Sequence, residues 1–133
     1  METAVKEKLT YRLESEKPFE TVADNLEKLS PQHQFRVLAV HDVRKTLAEK
    51  GFERGPLKII EVCNAGFAHQ ALQKEIDVAQ FMPCKFAVYT EGKKTIVTLG
   101  RPTLIAEMLP HAGLEKLAAQ VEETLKKVMH AAV

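Results

Sequence analysis

Hydrophobic and polar residues alternate with a period of two near the start of the chain, over residues 5–14. The apolar positions of this alternation are Val5, Leu9, Tyr11 and Leu13. Such a pattern is typical of a strand with one buried face, so it predicts the first strand. Pro18 then opens a segment whose apolar residues have helical spacing, and Ser30-Pro31 closes it. We therefore expect a strand followed by a helix that packs on the sheet.

Strands and helices keep alternating along the rest of the chain. The pattern predicts strands at 35–43, 57–63, 84–91 and 94–99, and helices at 43–50 and 67–76. A short helix is expected to end at Leu109, and a final amphipathic helix follows at 114–128. Its polar face is expected to carry Glu122 and Glu123, each four residues before a lysine.

These elements predict an α+β fold. We expect a single small domain over residues 1–133, with a mixed or antiparallel sheet of about five strands covered by helices and a long C-terminal amphipathic helix. An exposed edge in so small a sheet has to be paired or covered. A second subunit does this economically, so we expect a homodimer.

Composition narrows the expected partners and location. Nineteen Lys and Arg residues oppose eighteen Asp and Glu residues, and the two signs are interspersed. This balance argues against binding to nucleic acid or to a membrane surface. Residues 1–8 contain no apolar stretch typical of a signal peptide, and no later apolar run is long enough to span a bilayer. We therefore expect a cytoplasmic protein, in which two cysteines are thiols, ligands or a redox pair.

Cys63 is the leading candidate for chemistry, either as a nucleophile or as a ligand. It ends a predicted strand, and Asn64 after it is a good N-cap for the next helix. A thiol beside the positive end of a helix dipole is stabilised as a thiolate, so we expect the pKa of Cys63 to be lowered. The alternative is that Cys63 is a small buried hydrophobic residue.

Cys84 follows Pro83 and alternates with Phe86 and Val88 on the predicted buried face. Buried cysteine is inert, so packing is the simpler interpretation of this residue. If Cys63 and Cys84 approach each other, a disulfide, shared metal ligation and sulfur relay all become possible. Their separation along the chain does not say whether they do.

Histidine and arginine residues extend the candidate ligand set. His69 lies on the helix after Cys63 and His41 lies on a predicted strand, so either can supply an imidazole to a thiol or a metal. The candidate metal ligands are Cys63, Cys84 and His69. Arg101 at a helix start can hold an anion, although a surface arginine in a turn is the plainer alternative. No Cys-x-x-Cys-His motif for haem attachment is present, and no cofactor is identified.

The part of the chain from Glu61 to Pro102 carries several short motifs in a fixed order. They are Glu61-Val62-Cys63-Asn64, Ala68 to Leu72, Met82-Pro83-Cys84-Lys85, Val88-Tyr89, the Gly92 turn and Arg101-Pro102. On these motifs the chain resembles the family catalogued as domain of unknown function 302. The resemblance implies a small α+β domain and no general activity. Ala65 departs from the family pattern, which has proline there, but alanine also suits a helix start.

Three functional hypotheses follow from the sequence. The first is a non-enzymatic binding or carrier module in which Cys63, with Cys84 or His69, holds a sulfur species, a metal or a small ligand. The second is a thiol-dependent sulfurtransferase or oxidoreductase with Cys63 as nucleophile. The third is a non-catalytic dimeric interaction domain in which both cysteines only pack. We favour the first hypothesis.

Overall fold

Five strands form one sheet in the computed structural model, which describes the backbone of residues 2–133 and the side chains of residues 3–133. The strands are β1 (Thr10–Ser15), β2 (Arg36–Asp42), β3 (Leu57–Cys63), β4 (Cys84–Glu91) and β5 (Lys94–Gly100). Their order is β1-β5-β4-β3-β2, and all neighbours are antiparallel. Gly92, with a φ of 62°, turns the β4–β5 hairpin without steric cost. The predicted α+β fold is confirmed, with an antiparallel sheet.

Helices cover this sheet and close one of its ends. The α-helices of the described residues are α1 (Glu2–Leu9), α2 (Phe19–Gln32), α3 (Val43–Ala48), α4 (Ala65–Lys74), α5 (Pro102–Met108) and α6 (Glu115–Ala132). Two short 3-10 helices, Ile76–Phe81 and Pro110–Ala112, connect α4 to β4 and α5 to α6. Helices α2 and α6 pack against each other and against the sheet. The predicted long C-terminal helix is confirmed, with 18 residues.

The main core lies between the sheet and the helix pair α2 and α6. Strand register aligns an apolar row that crosses four strands. The row is Tyr11, Leu99, Phe86 and Ile60. The last three of these side chains are fully buried, as is Leu125 of α6. Burying one large aliphatic or aromatic side chain contributes about 1.5–3 kcal/mol, so this row anchors the helix layer on the sheet.

The first strand begins later than predicted. Residues 2–9 form helix α1, and the strand starts at Thr10. Thr10 pairs with Gly100, the last residue of β5, so residues before Thr10 have no strand to pair with. The segment from Glu2 to Leu9 is rich in Ala, Glu, Lys and Leu, which are strong helix formers. Its alternation has no buried face, since Val5 is 63% exposed.

The predicted helix at 67–76 is also displaced. Asn64 caps α4 as expected, and the helix starts at Ala65. It ends at Lys74 because Glu75 has an extended backbone, with its carboxylate accepting a hydrogen bond from the Asp77 amide. The following residues form a 3-10 helix, Ile76–Phe81, where we expected only a connection.

The elements described above share one sheet and its helical cover, as a single α+β domain. Met1, the first residue of the predicted domain, lies outside the described residues. Within residues 2–133, none of the helices combines the length and the apolar character that crossing a bilayer requires.

Candidate functional site

A cavity of about 90 Å³ lies where α4, α5 and α6 meet the end of the sheet formed by β3 and β4. Aromatic and aliphatic side chains make up most of its wall, including Phe35, Phe67 and Ile105. The described residues that line it include no charged side chain. Phe81, which is 40% exposed, lies in the wall where the cavity opens towards solvent. Such a mostly apolar concavity with few polar groups is typical of small-ligand sites.

Strand register brings the two cysteines together in this wall. Cys84 begins β4 and pairs with Val62, so Cys63 lies one residue beyond its partner on the neighbouring strand. From the spacing of antiparallel strands, the Cα atoms of the two cysteines lie about 6 Å apart. Both residues line the cavity, and both are free thiols. The expectation that they can approach each other is met by the backbone.

Both thiols are kept protonated at neutral pH by their surroundings. Burial raises the pKa of Cys63 above its usual value. Burial, followed by the charge of Cys63, raises the pKa of Cys84 to about 11. The prediction that the start of α4 lowers the pKa of Cys63 is therefore wrong. Loss of hydration outweighs the helix dipole, and the first turn already has its own acceptor in Asn64.

Asn64 is the polar amide in the cavity wall, and both ends of this amide are used. Its Oδ1 accepts a hydrogen bond from the Phe67 amide at 3.0 Å, which caps α4. Its Nδ2 donates to the carbonyl of Gln34 at 3.0 Å. Gln34 has a φ of 64°, in the left-handed region that disfavours side chains, so this bond holds a strained turn in place. The sequence predicted the cap and missed the second bond.

The two candidate histidines lie away from the thiols. His69 is exposed on α4, whereas the neighbouring Ala68 lines the cavity. His41 pairs with Ile59, four residues from Cys63 along β3, which corresponds to about 13 Å. Its Nε2 lies 2.5 Å from a carboxylate oxygen of Glu61.

No group of three or more His, Cys, Asp and Glu side chains suited to a metal occurs among the described residues. The candidate set Cys63, Cys84 and His69 is therefore reduced to two thiols at one place. The thioether of Met82, which also lines the cavity, is a third sulfur that the sequence analysis did not consider. Its position directly before Pro83-Cys84 is the signal that was available.

Arg101 is engaged by other residues of the chain. Its Nε and Nη2 donate to one carboxylate oxygen of Glu122 at 3.2 and 3.0 Å, and its Nη1 donates to the carbonyl of Glu7. Thr103 donates to the other oxygen of Glu122 through its hydroxyl and its amide. The guanidinium thus joins α1, α5 and α6, and its donors already have acceptors inside the protein.

Glu122 was expected on the solvated face of the last helix, and this expectation is wrong. Its side chain is only 5% exposed, and it also bonds Lys126 at 3.1 Å. Burial alone would raise its pKa, but hydrogen bonds from Arg101, Thr103 and Lys126 lower the pKa to about 2. The spacing to Lys126 was interpreted as a surface pair because a sequence does not show what packs above a helix.

Comparison with known proteins supports the fold and identifies the family. The family model described as "Domain of unknown function DUF302" matches residues 11–132. The crystal structure of an uncharacterized conserved protein DUF302 from Bacillus stearothermophilus superimposes with a TM-score of 0.88 at 29% identity, covering 94% of this chain and 98% of that one. No curated protein matches the sequence. The resemblance drawn from the cysteine motifs is confirmed, and the chain belongs to the DUF302 family.

Proposed function

We propose that this protein is a binding module that takes a small, weakly hydrated ligand in the cavity beside Cys63 and Cys84. The observation that carries this proposal is the composition of the wall, which combines apolar side chains with free thiols and contains no charged residue among those described. A strongly hydrated ligand would lose its water there without gaining ion pairs or hydrogen bonds in return. A polarizable ligand loses less and gains dispersion contacts.

The size of the cavity limits the part of the ligand that enters. Its volume is about 90 Å³, compared with the roughly 150 Å³ of an engineered apolar cavity that binds benzene. A single atom or a short aliphatic group therefore fits inside. Because the wall is partly open near Phe81, the rest of a larger molecule can remain outside.

The protonation of the thiols favours binding over catalysis. A nucleophilic cysteine requires a thiolate, which a base or a positive charge usually stabilises. Burial here raises the pKa of both thiols, and His41 and His69 lie outside the cavity wall. The hypothesis of a thiol-dependent sulfurtransferase or oxidoreductase therefore has less physical support than the binding module.

Xenon is a suitable probe, since it is polarizable, uncharged and small enough for apolar cavities. We expect xenon pressure to shift the ¹³C-methyl NMR signals of Val62, Ile105 and Leu114, which line the cavity, along saturable curves. Methyl groups of the main core, such as those of Leu26, should move little. Shifts that are linear with pressure, or equal in both groups, would contradict the proposal.

A matched pair of variants on α6 provides the control. Ala118 lines the cavity and is 8% exposed, whereas Ala119 next to it is exposed. Ala118→Leu should fill the cavity and remove the saturable xenon shifts, and Ala119→Leu should retain them. Ala71→Leu fills the same space from α4 and replaces the first variant if that one does not fold.

The predicted homodimer stays a prediction. Native mass spectrometry of the purified protein measures the subunit count, and the same spectrum shows any mass bound in addition to the chain. A dimer would support the third hypothesis as a property that coexists with the binding module. A monomer would leave the cavity proposal unchanged, because every residue of the cavity wall belongs to one chain.

A further inference from the structure

Sulfur is concentrated in the cavity wall. The chain contains two cysteines and four methionines, and both cysteines and Met82 line this one cavity. Met82 and Cys84 lie at the start of β4, and Cys63 lies at the end of the adjacent strand. Three sulfur atoms of different character, two thiols and one thioether, therefore border the same small space.

Harder ligand atoms are missing from the described part of the wall. It contains no Asp, Glu or His, and the amide of Asn64 is bonded to Phe67 and Gln34. Thiolate and thioether sulfur select soft metals such as Cu(I), whereas carboxylate and carbonyl oxygens suit Mg²⁺, Ca²⁺ and Mn²⁺. Structural zinc almost always takes four ligands in a tetrahedron, more than three sulfurs provide. The donor set thus fits a soft monovalent ion of low coordination number.

We propose that the ligand of this cavity is a cuprous ion, Cu(I), bound by the Sγ atoms of Cys63 and Cys84 with the Sδ atom of Met82 as a third donor. This inference rests on the proposed function, since it names the ligand of the same cavity. Two copper–thiolate bonds form, and the two thiol protons pass to the solvent. Copper enters and remains as Cu(I), so no electron is transferred.

The backbone geometry permits this arrangement. Metal–thiolate bonds of about 2.3 Å place two sulfurs on opposite sides of an ion about 4.6 Å apart. Cα atoms about 6 Å apart on neighbouring strands are compatible with that span. Cys63 is the last residue of its strand, where the chain turns into α4, and it lines the same cavity as Cys84. The apolar wall excludes water and so protects the cuprous state.

The test is an anaerobic titration of the reduced full-length protein with Cu(I), in competition with the chromophoric chelator bicinchoninate. We expect one Cu(I) per chain, and X-ray absorption should show a first shell of sulfur only. Cys63→Ser and Cys84→Ser should each weaken binding by more than about 100-fold, the upper range for loss of a second-shell group. Met82→Leu should weaken it less, and His69→Gln should leave it unchanged because His69 lies outside the wall.

Two results would overturn the inference. One is Cu(I) binding by Cys84→Ser at wild-type strength. The other is a nitrogen or oxygen first shell in the wild-type protein. Circular dichroism of each metal-free variant shows whether the fold is retained, and Cys63→Ala and Cys84→Ala replace any serine variant that fails to fold.

The xenon measurement separates this inference from the proposal on which it rests. Saturable xenon binding without Cu(I) binding would leave the binding module standing and remove the cuprous ion as its ligand. Absence of both would remove both proposals. Binding of both, with loss of xenon shifts when Cu(I) is added, would place the ion in the cavity.

Discussion

Two clusters at the junction of α5 and α6 treat their polar groups in opposite ways. In the first, Glu122 receives hydrogen bonds or ion pairs from Arg101, Thr103 and Lys126. In the second, the cavity, two thiols line an apolar space without a base or a cation in the described wall. The same two helices build both clusters, since Pro102 and Ala118 face the cavity while Thr103 and Glu122 bond each other.

The difference shows where stability and where binding originate. Buried polar groups in proteins are nearly always bonded, and the first cluster follows that rule with a charged group. It fastens α1 and α5 to α6 and has no donor left for a ligand. The cavity forgoes packing contacts and keeps weakly polar sulfur atoms accessible, which costs stability but leaves space for a ligand. Arg101, a candidate ligand in the sequence, thus lies in the structural cluster.

Removing the carboxylate of Glu122 is the strongest way to break this comparison. Glu122→Ala leaves the guanidinium of Arg101 without its anion, and breaking a buried pair costs about 3 kcal/mol of unfolding free energy. Urea unfolding measures this loss. Glu123→Ala is the matched control, because Glu123 is 73% exposed and pairs only with Lys127 at 3.8 Å. It should change stability by less than about 0.5 kcal/mol. Equal effects of the two variants would contradict a structural role for the cluster.

Acid should weaken the same cluster. The pKa of Glu122 is about 2 in the folded protein, below the ordinary value of 4.5, because the bonds from Arg101, Thr103 and Lys126 exceed the opposing effect of burial. A lowered folded pKa adds stability that is complete above 4.5 and is lost as the pH falls from 4.5 towards 2. The stability difference between wild type and Glu122→Gln should therefore shrink by about 3 kcal/mol over that range. A constant difference would show that the carboxylate is not stabilised by folding.

The sequence predicts the fold well because periodicity reports burial directly. The strand at 57–63, the hairpin around Gly92 and the amphipathic last helix are observed with nearly the predicted bounds. Periodicity fails at residues 5–9, where alternation has no buried face and the partner strand ends at Gly100. A sequence does not show where a partner strand ends.

The site is predicted only in part, because it depends on register and packing. The motifs indicate both cysteines and the Asn64 cap, but only the pairing of Val62 with Cys84 brings the thiols into one wall. Burial decides the pKa of each thiol, and it acts against the helix dipole on which the sequence argument relied. The pairing of Arg101 with Glu122 joins residues from separate helices, and no local pattern indicates it.

Asn64 connects the cavity wall to the rest of the fold, and its replacement should have an intermediate effect. Asn64→Ala removes the cap of α4 and the bond to Gln34, so we expect a loss of about 1–2 kcal/mol. Asn64→Asp keeps an acceptor for the Phe67 amide and loses only the donor to Gln34, so it should cost less. Thermal or urea unfolding of both variants measures this. Equal losses would mean that the bond to Gln34 adds nothing to the cap.

Alkylation of the thiols should have the smallest effect on the fold and gives the sharpest comparison of Cys63 with Cys84. A pKa of about 11 leaves Cys84 about one ten-thousandth ionised at pH 7, so native Cys84 should react with iodoacetamide at least about 100-fold more slowly than in urea. Cys63, which is half-buried, should react faster than Cys84. Intact mass and peptide mapping over time measure both rates. Rapid labelling of native Cys84 would mean a stabilised thiolate, and it would restore the nucleophile hypothesis. Slow labelling of both thiols means that they serve the cavity as neutral sulfur, in contrast to the charged and fully bonded cluster around Glu122.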